Sequence, residues 1–386
     1  MRRLLLAGLL LAACTTPEIE APADDDPPAA QATPTPPPTT KATMNEVFDA
    51  VAVLLPLSFD DDAWMDPANS DRIVAELGSL SRSIGLLEGH AEGRDVGFGW
   101  LAQSLAGDVA VAERAYLKGA RRQARHHVQR AVDNCVACHA RLPGDAAGEF
   151  GMRLFNKLDA DKLGPVELTA LLQATRQFDA AASNYEEYLG LPASRSEHVV
   201  RLASLQDYVS LVVRVQGQPE RGKPTLDAIL AQEDLPRFLR KDVERWRQDL
   251  DAAAPEGDAL KAARTLIEDA STRREFPTDR RNLVLFLQAA RRLDIATNTE
   301  EGARLAEAYY LLGLAEANLD RAPRLGKAEV FLEAAIRQAP RSQFAADALD
   351  RLEWYLALEY SGSGGAQLPP ELEARLDELR KLARQE

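Results

Sequence analysis

Five consecutive residues carry the most specific chemistry in this 386-residue chain: Cys135-Val136-Ala137-Cys138-His139. C-x-x-C-H is the attachment pattern of c-type haem. At this spacing both thiols reach the vinyl groups of one porphyrin, and the imidazole that follows falls beneath the iron as the proximal ligand. A zinc site needs four ligands, and the one cysteine left over, Cys14, cannot supply a second pair. A thioredoxin-like dithiol belongs in a βαβ setting, whereas the residues leading into Cys135 have helical periodicity. The pattern therefore predicts a single covalently attached haem c, its iron held by His139. It points to an electron carrier or a haem sensor rather than an enzyme.

Four helices over residues 44–145 must position this group. Thr43-x-x-Glu46 predicts a capping box that opens a helix with Met44, Phe48, Val51 and Leu55 on one face, closed by Pro56 and an acidic loop, Asp60-Asp61-Asp62. A second helix from Ser70 carries Ile73, Leu77, Leu80, Ile84 and Leu87 on one stripe and ends at Gly89 and Gly93. The third, over 96–118, turns Phe98, Leu101, Leu105, Val109, Ala112 and Tyr116 inward before Gly119. The fourth aligns Ala124, Val128, Ala131, Cys135, Cys138 and Leu142, and Pro143-Gly144 stops it. Four amphipathic helices with short connections pack as an up-down-up-down bundle.

A four-helix bundle with C-x-x-C-H at the end of its last helix resembles the class II c-type cytochromes, the cytochrome c′ group. The resemblance covers residues 44–145 and rests on helix order, motif position and the Gly-rich connection before the third helix. The methionines agree with it: of Met1, Met44, Met65 and Met152, none lies far enough beyond His139 to serve as in a class I cytochrome. The resemblance implies that His139 is the proximal ligand and that the first helix lines the distal face. Members either leave the sixth position open or fill it with a first-helix methionine, which makes Met44 the candidate sixth ligand. The other reading of Met44 is plain core, and an open iron beside Phe48, Val51 and Leu55 would then admit CO or NO. Cytochrome c′ bundles also pair through helices one and two, which implies a homodimer.

Other histidines are poorly placed. His126 and His127 precede His139 by 12 or 13 residues on the same helix, roughly 18–20 Å at the helical rise. They belong to a basic stretch with Arg114, Lys118, Arg121, Arg122, Arg125 and Arg130. That stretch reads either as a solvated face or as a source of haem-propionate partners, Arg125 among them, and a dock for an acidic redox protein. His90, in the loop before the third helix, is a candidate to approach the distal side. Trp64 and Trp100 read as core or haem-edge packing.

Residues 146–360 carry a different rhythm. Leu168 to Leu172, then Phe178, Ala181, Tyr185 and Tyr188-Leu189, are similar to a tetratricopeptide (TPR) repeat. A clearer match pairs Ala308-Tyr309-Tyr310-Leu311-Leu312-Gly313 with Ala328, Phe331, Ala335, Ile336 and Pro340, across an enlarged loop at 318–326. Helical segments near 195–215, 222–232, 236–253, 258–271 and 279–293 keep the pair rhythm between them. The resemblance implies an α-solenoid whose concave face holds a partner protein. Residues 361–386 add the Ser361-Gly362-Ser363-Gly364-Gly365 linker and a last helix with Leu372, Leu376 and Leu379, which caps the stack or binds a neighbour.

The N-terminus reads as an export signal. Arg2-Arg3 precede an apolar run over 4–13 that is too short to span a bilayer. Leu11-Ala12-Ala13-Cys14 resembles the lipobox of bacterial lipoproteins, which implies cleavage after residue 13 and lipid on Cys14. With Thr15 rather than Asp at the following position, the same resemblance implies the outer membrane, facing the periplasm. Residues 14–43, rich in proline with Asp24-Asp25-Asp26, are too polar to bury a core and read as a disordered tether, ~90 Å long if extended as polyproline.

Composition sets the outer limits. With 46% hydrophobic and 27% charged residues the chain can bury real cores, and a net charge of -14 argues against a general nucleic-acid binder. The expectation is an all-α, lipid-anchored, mono-haem electron-transfer protein whose repeats dock a redox partner. The alternative is a haem-based NO/CO sensor or scavenger with an open sixth site. A haem peroxidase has the least support, since only His90 offers a distal acid–base group.

Overall fold

The computed structural model of the protein describes residues 39–90, 96–141, 163–251, 257–275, 279–319, 328–362, 365–366 and 368–384. The signal, Cys14 and the tether through residue 38 lie outside these, as do Gly93, the stop at 142–144, Met152 and the loop at 320–327. The fold is all-α.

Helix α1 (Thr40–Phe59) begins earlier than the Thr43 capping box predicts. Thr39 is its N-cap, and its hydroxyl accepts from the Ala42 N–H at 3.2 Å. Thr43 is instead fully buried, and Glu46 accepts from Ser83 Oγ at 2.9 Å. Pro56 does not close α1 either, which runs on to Phe59. Carbonyls released near a helix end need outside donors, and here Arg125 Nε and Gln129 Nε2 donate to Ser58 O at 2.6 and 2.7 Å. The acidic run forms a helix start, not a loop. Asp60 caps the short α2 (Asp61–Met65), accepting from the Ala63 N–H at 2.9 Å. Trp64 on α2 is fully buried, donates to Arg121 O at 2.8 Å and meets Tyr116 edge to face.

Helices α3 (Ser70–Gly89), α4 (Val96–Leu117) and α5 (Arg121–Arg141) follow the predicted spacing. Ile73, Leu77, Leu80, Ile84 and Leu87 are all buried, and Gly119 stops α4 at φ +80°. α1 packs on α3, α3 on α4, α4 on α5 and α5 back on α1, so the four long helices close on one core. α1 is long and apolar enough to cross a membrane, yet its Val47, Phe48, Leu54 and Leu55 are buried in that core.

The second half stacks helices in pairs. α6 (Pro165–Ala174) and α7 (Phe178–Gly190) are joined by the turn at 175–177. α8 (Arg195–Ser210) runs into a π-helical turn, Leu211–Val215, and α9 (Pro219–Leu230) pairs with α10 (Arg237–Asp251). α11 (Ala259–Thr272), α12 (Leu283–Thr299), α13 (Gly302–Leu319), α14 (Ala328–Gln338), α15 (Gln343–Glu359) and α16 (Pro370–Ala383) each pack on the next. Several also touch the next but one, as α11 does α13 and α13 does α15. α13 and α14 approach closely at Gly313, where a Cβ would come within 2.7 Å of Leu332. Helix α15 has no counterpart among the predicted segments. The Gly/Ser linker forms a two-residue antiparallel bridge, with Ser361 opposite Ala366. α16 buries Leu376 and Leu379 and packs on α14 and α15, so it caps the stack. α14 also touches α4, and residues 39–386 cohere as one compact unit around two hydrophobic cores.

Candidate functional site

Cys135, Cys138 and His139 occupy the last two turns of α5 and are all partly buried. Spacings of three and four residues bring them to one side of a helix. The two thiols are not joined as a disulfide. Beside them opens an apolar cavity whose empty space, counting its open mouth, is about 630 Å³. Met44, Val47, Phe48, Val51, Leu54 and Leu55 of α1 form one wall, with Leu80 and Ile84 of α3 and Leu105 of α4. Val128, Ala131, Val132, Cys135 and His139 of α5 form the opposite one. The remaining side comes from the second half of the chain: Leu171 and Ala174 of α6, and Thr175 just beyond it.

His139 Nδ1 lies 2.5 Å from the Ala174 carbonyl oxygen. A carbonyl only accepts, so Nδ1 carries the proton, and Nε2 keeps its lone pair. Ala174 can offer this oxygen because α6 ends there. The last carbonyls of a helix have no intrahelical donor. Those of Leu171, Leu172 and Gln173 are met by the backbone N–H groups of Thr175, Gln177 and Arg176, at 3.0, 2.8 and 3.0 Å. Thr175 Oγ1 adds bonds to Leu171 O and Leu172 O. The Ala174 oxygen is the one turned toward α5. This closure needs a left-handed residue, usually glycine, and here Arg176 fills the position at φ +59°. Burial, and then the Arg176 charge, push the His139 pKa down to about 4, against the opposing pull of the Ala174 bond. The ring is therefore neutral near neutral pH, the form that ligates a metal.

Of the sequence candidates, Met44, Phe48, Val51, Leu55, Cys135 and His139 meet in this cavity; Cys138, between the last two on α5, is not among its lining residues. Arg125 lies elsewhere. Its guanidinium pairs with Asp61 and bonds Ser58 O, fastening α5 to the end of α1. Arg121 likewise bonds Met65 O at 2.8 Å, so part of the basic stretch is structural, while Arg122, His126 and Arg130 are exposed. His127 faces Asp108, Nδ1 to Oδ1 at 3.7 Å. His90 Nε2 reaches Thr43 Oγ1 at 3.5 Å, next to Met44 in sequence but outside the cavity lining. Trp64 is core. Cys14 lies outside the described residues.

One neutral imidazole on an apolar wall, its other ring nitrogen held by a carbonyl, is the donor chemistry that suits a haem iron. Hydrogen-bonding the far ring nitrogen of a ligating histidine is the usual way its orientation is set. Among the described residues no group of three or more His, Cys, Asp or Glu side chains converges as a bare metal ion would require. Leu171, Ala174, Thr175 and Arg176 were not legible as site residues. The available signal was α6 itself, whose apolar residues Leu168, Ala170, Leu171, Leu172 and Ala174 exceed one helix face. Comparison with protein-family models, curated proteins and solved structures finds no match to this chain.

Proposed function

We propose that the protein is a mono-haem c-type cytochrome of the cytochrome c′ kind, tethered to the bacterial envelope by lipid on Cys14, with a TPR-like stack that docks its redox partner. The observation that carries this reading is His139, at the end of C-x-x-C-H, lining an apolar cavity with Nδ1 committed to Ala174 O and Nε2 available. Haem, when bound, supplies one-electron chemistry. The chain's own residues do the rest. Cys135 and Cys138 fix the group covalently, His139 holds the iron from one side, and the apolar walls exclude water. Met44, on the α1 wall of the same cavity, is the chain's candidate for the other side, and a Met/His pair would favour electron transfer at a raised potential.

The test is expression with export and haem attachment, followed by intact mass and by spectra of the oxidised, reduced and CO-treated protein. A mass increase of one haem, lost in Cys135→Ala/Cys138→Ala, is the expected result. A protein without covalent haem would overturn the proposal. Prompt CO binding by the reduced protein would remove Met44 from the ligand set. It would favour the gas-binding reading instead, for which Phe48, Val51 and Leu55 already provide an apolar pocket.

A further inference from the structure

We infer that α6 is a positioning element through which the repeat stack sets the ligand strength of His139, an inference that rests on the haem reading above. The helix belongs to both cores at once. Ala170, Leu171 and Ala174 pack in the core of the four-helix half, while Leu172 is part of the core of the stack and Leu168 packs against it. Successive residues on a helix diverge by about 100°, so Leu171 and Leu172 face different layers. The C-terminal end of α6 also bonds His139 Nδ1 through Ala174 O.

That end is the negative pole of the helix, and a carbonyl there gives the imidazole more anionic character and makes it a stronger donor. On its other side α6 is held by a buried hydrogen-bond chain. Gln173 Nε2 donates to Tyr185 Oη of α7 at 3.2 Å, and that hydroxyl donates to Asp207 Oδ2 of α8 at 3.4 Å. A partner that shifts α7 and α8 against the four-helix half therefore moves the Ala174 oxygen relative to His139. Loosening this bond weakens donation to iron, stabilises the oxidised state less, and raises the midpoint potential.

The experiment uses the full-length lipidated protein, with haem content fixed first by mass. Leu172→Ala loosens the stack-facing side of α6 without touching the cavity. Gln173→Leu keeps volume and cuts the bond to Tyr185, and it serves if Leu172→Ala folds poorly. Ile336→Ala, in the same core but on α14, controls for a general loss of stability. The expected result is an upward shift of midpoint potential in Leu172→Ala and Gln173→Leu, and none in Ile336→Ala. Haem present with all three at the wild-type potential would overturn this inference and leave the proposed function standing. Absence of haem would overturn both.

Discussion

Arg214 offers the sharpest test of how the helices of the second half are held together. It sits in the π-helical turn after α8, with its side chain 2% exposed. Its Nε donates to Asp294 Oδ2 at 2.9 Å, and Nη2 donates to Asp294 Oδ1 at 3.1 Å and to Glu316 Oε1 at 2.7 Å. One cation thus ties α8 to α12 and α13, and Glu316 is wholly buried. Burial opposes the charge on Arg214, but Asp294 and then Glu316 outweigh it and push the guanidinium pKa further up. Arg214→Met removes the cation and leaves two carboxylates facing each other. Breaking a buried pair from one side costs about 3–5 kcal/mol. With a urea dependence of about 3 kcal/mol/M, the midpoint falls by roughly 1–2 M.

Replacing the whole triad by apolar residues, Arg214→Met/Asp294→Leu/Glu316→Met, should recover most of that loss, since apolar substitutes for buried ion clusters are often neutral or better. The pH arm has a definite sign. In Arg214→Met two carboxylates are held together without their cation, and acid relieves such like-charge repulsion by removing charge. The deficit of the single variant should shrink on acidification. Urea titrations of the three proteins, followed by far-UV circular dichroism, decide the matter. A single variant within about 1 kcal/mol of wild type, or a triple variant no better than the single, would refute the reasoning.

Met44→Ala removes the candidate ligand from the α1 wall, and if Met44 holds the iron the reduced variant should bind CO more readily than the wild type. An unchanged spectrum with no new CO binding assigns Met44 to the core. Asp249 is pushed by burial from about 3.8 up to about 6, with Arg245 pulling the other way. Its folded pKa is the higher one, so the stability it confers is complete below the unfolded value and lost as pH rises through about 6. Asp249→Asn should therefore flatten the pH dependence of stability over that window and gain up to about 3 kcal/mol at neutral pH, less what Arg245 and Arg273 lose as partners. A titration as steep as that of wild type would count against it. Cys14→Ser should move the protein from the membrane fraction to the soluble periplasmic extract on fractionation.

The four long helices were legible because each needs a single apolar stripe, and stripes at helical spacing survive in the sequence: Ile73, Leu77, Leu80, Ile84 and Leu87 are buried, as are Phe98, Leu101, Val109, Ala112 and Tyr116, with Leu105 half-buried. Boundaries were less legible where side chains compete for the same backbone groups. Thr39 and Thr43 are both able N-caps, and the second is fully buried on the face of α1 that carries Val47 and Phe48, so the exposed Thr39 caps the helix instead. Pro56 reads as a stop, but nothing local announces that Arg125 and Gln129 will supply donors to the end of that helix. Helix α15 is not legible because Pro340, at the place of a repeat's terminal proline, ends the repeat pattern just before the helix begins.

The contact between His139 and Ala174 was beyond sequence reasoning for a different reason. Each partner looks complete by itself: a C-x-x-C-H histidine at the end of one helix, and a small residue at the end of another. The structure joins them because both are incomplete in the same way. A neutral imidazole half-buried at the end of α5 has one N–H to place, and leaving a buried donor without a partner costs about 1–3 kcal/mol. α6 ends with a carbonyl that its own C-terminal turn does not satisfy. Bringing the two together meets both needs with one bond, at the place where Leu171 already packs into the four-helix core and Leu172 into the stack. The seam between the halves is thus fixed by polar complementarity at the same atoms that orient the candidate iron ligand. A change in how the halves meet therefore reaches His139 together with the Leu171, Ala174 and Thr175 side of the cavity.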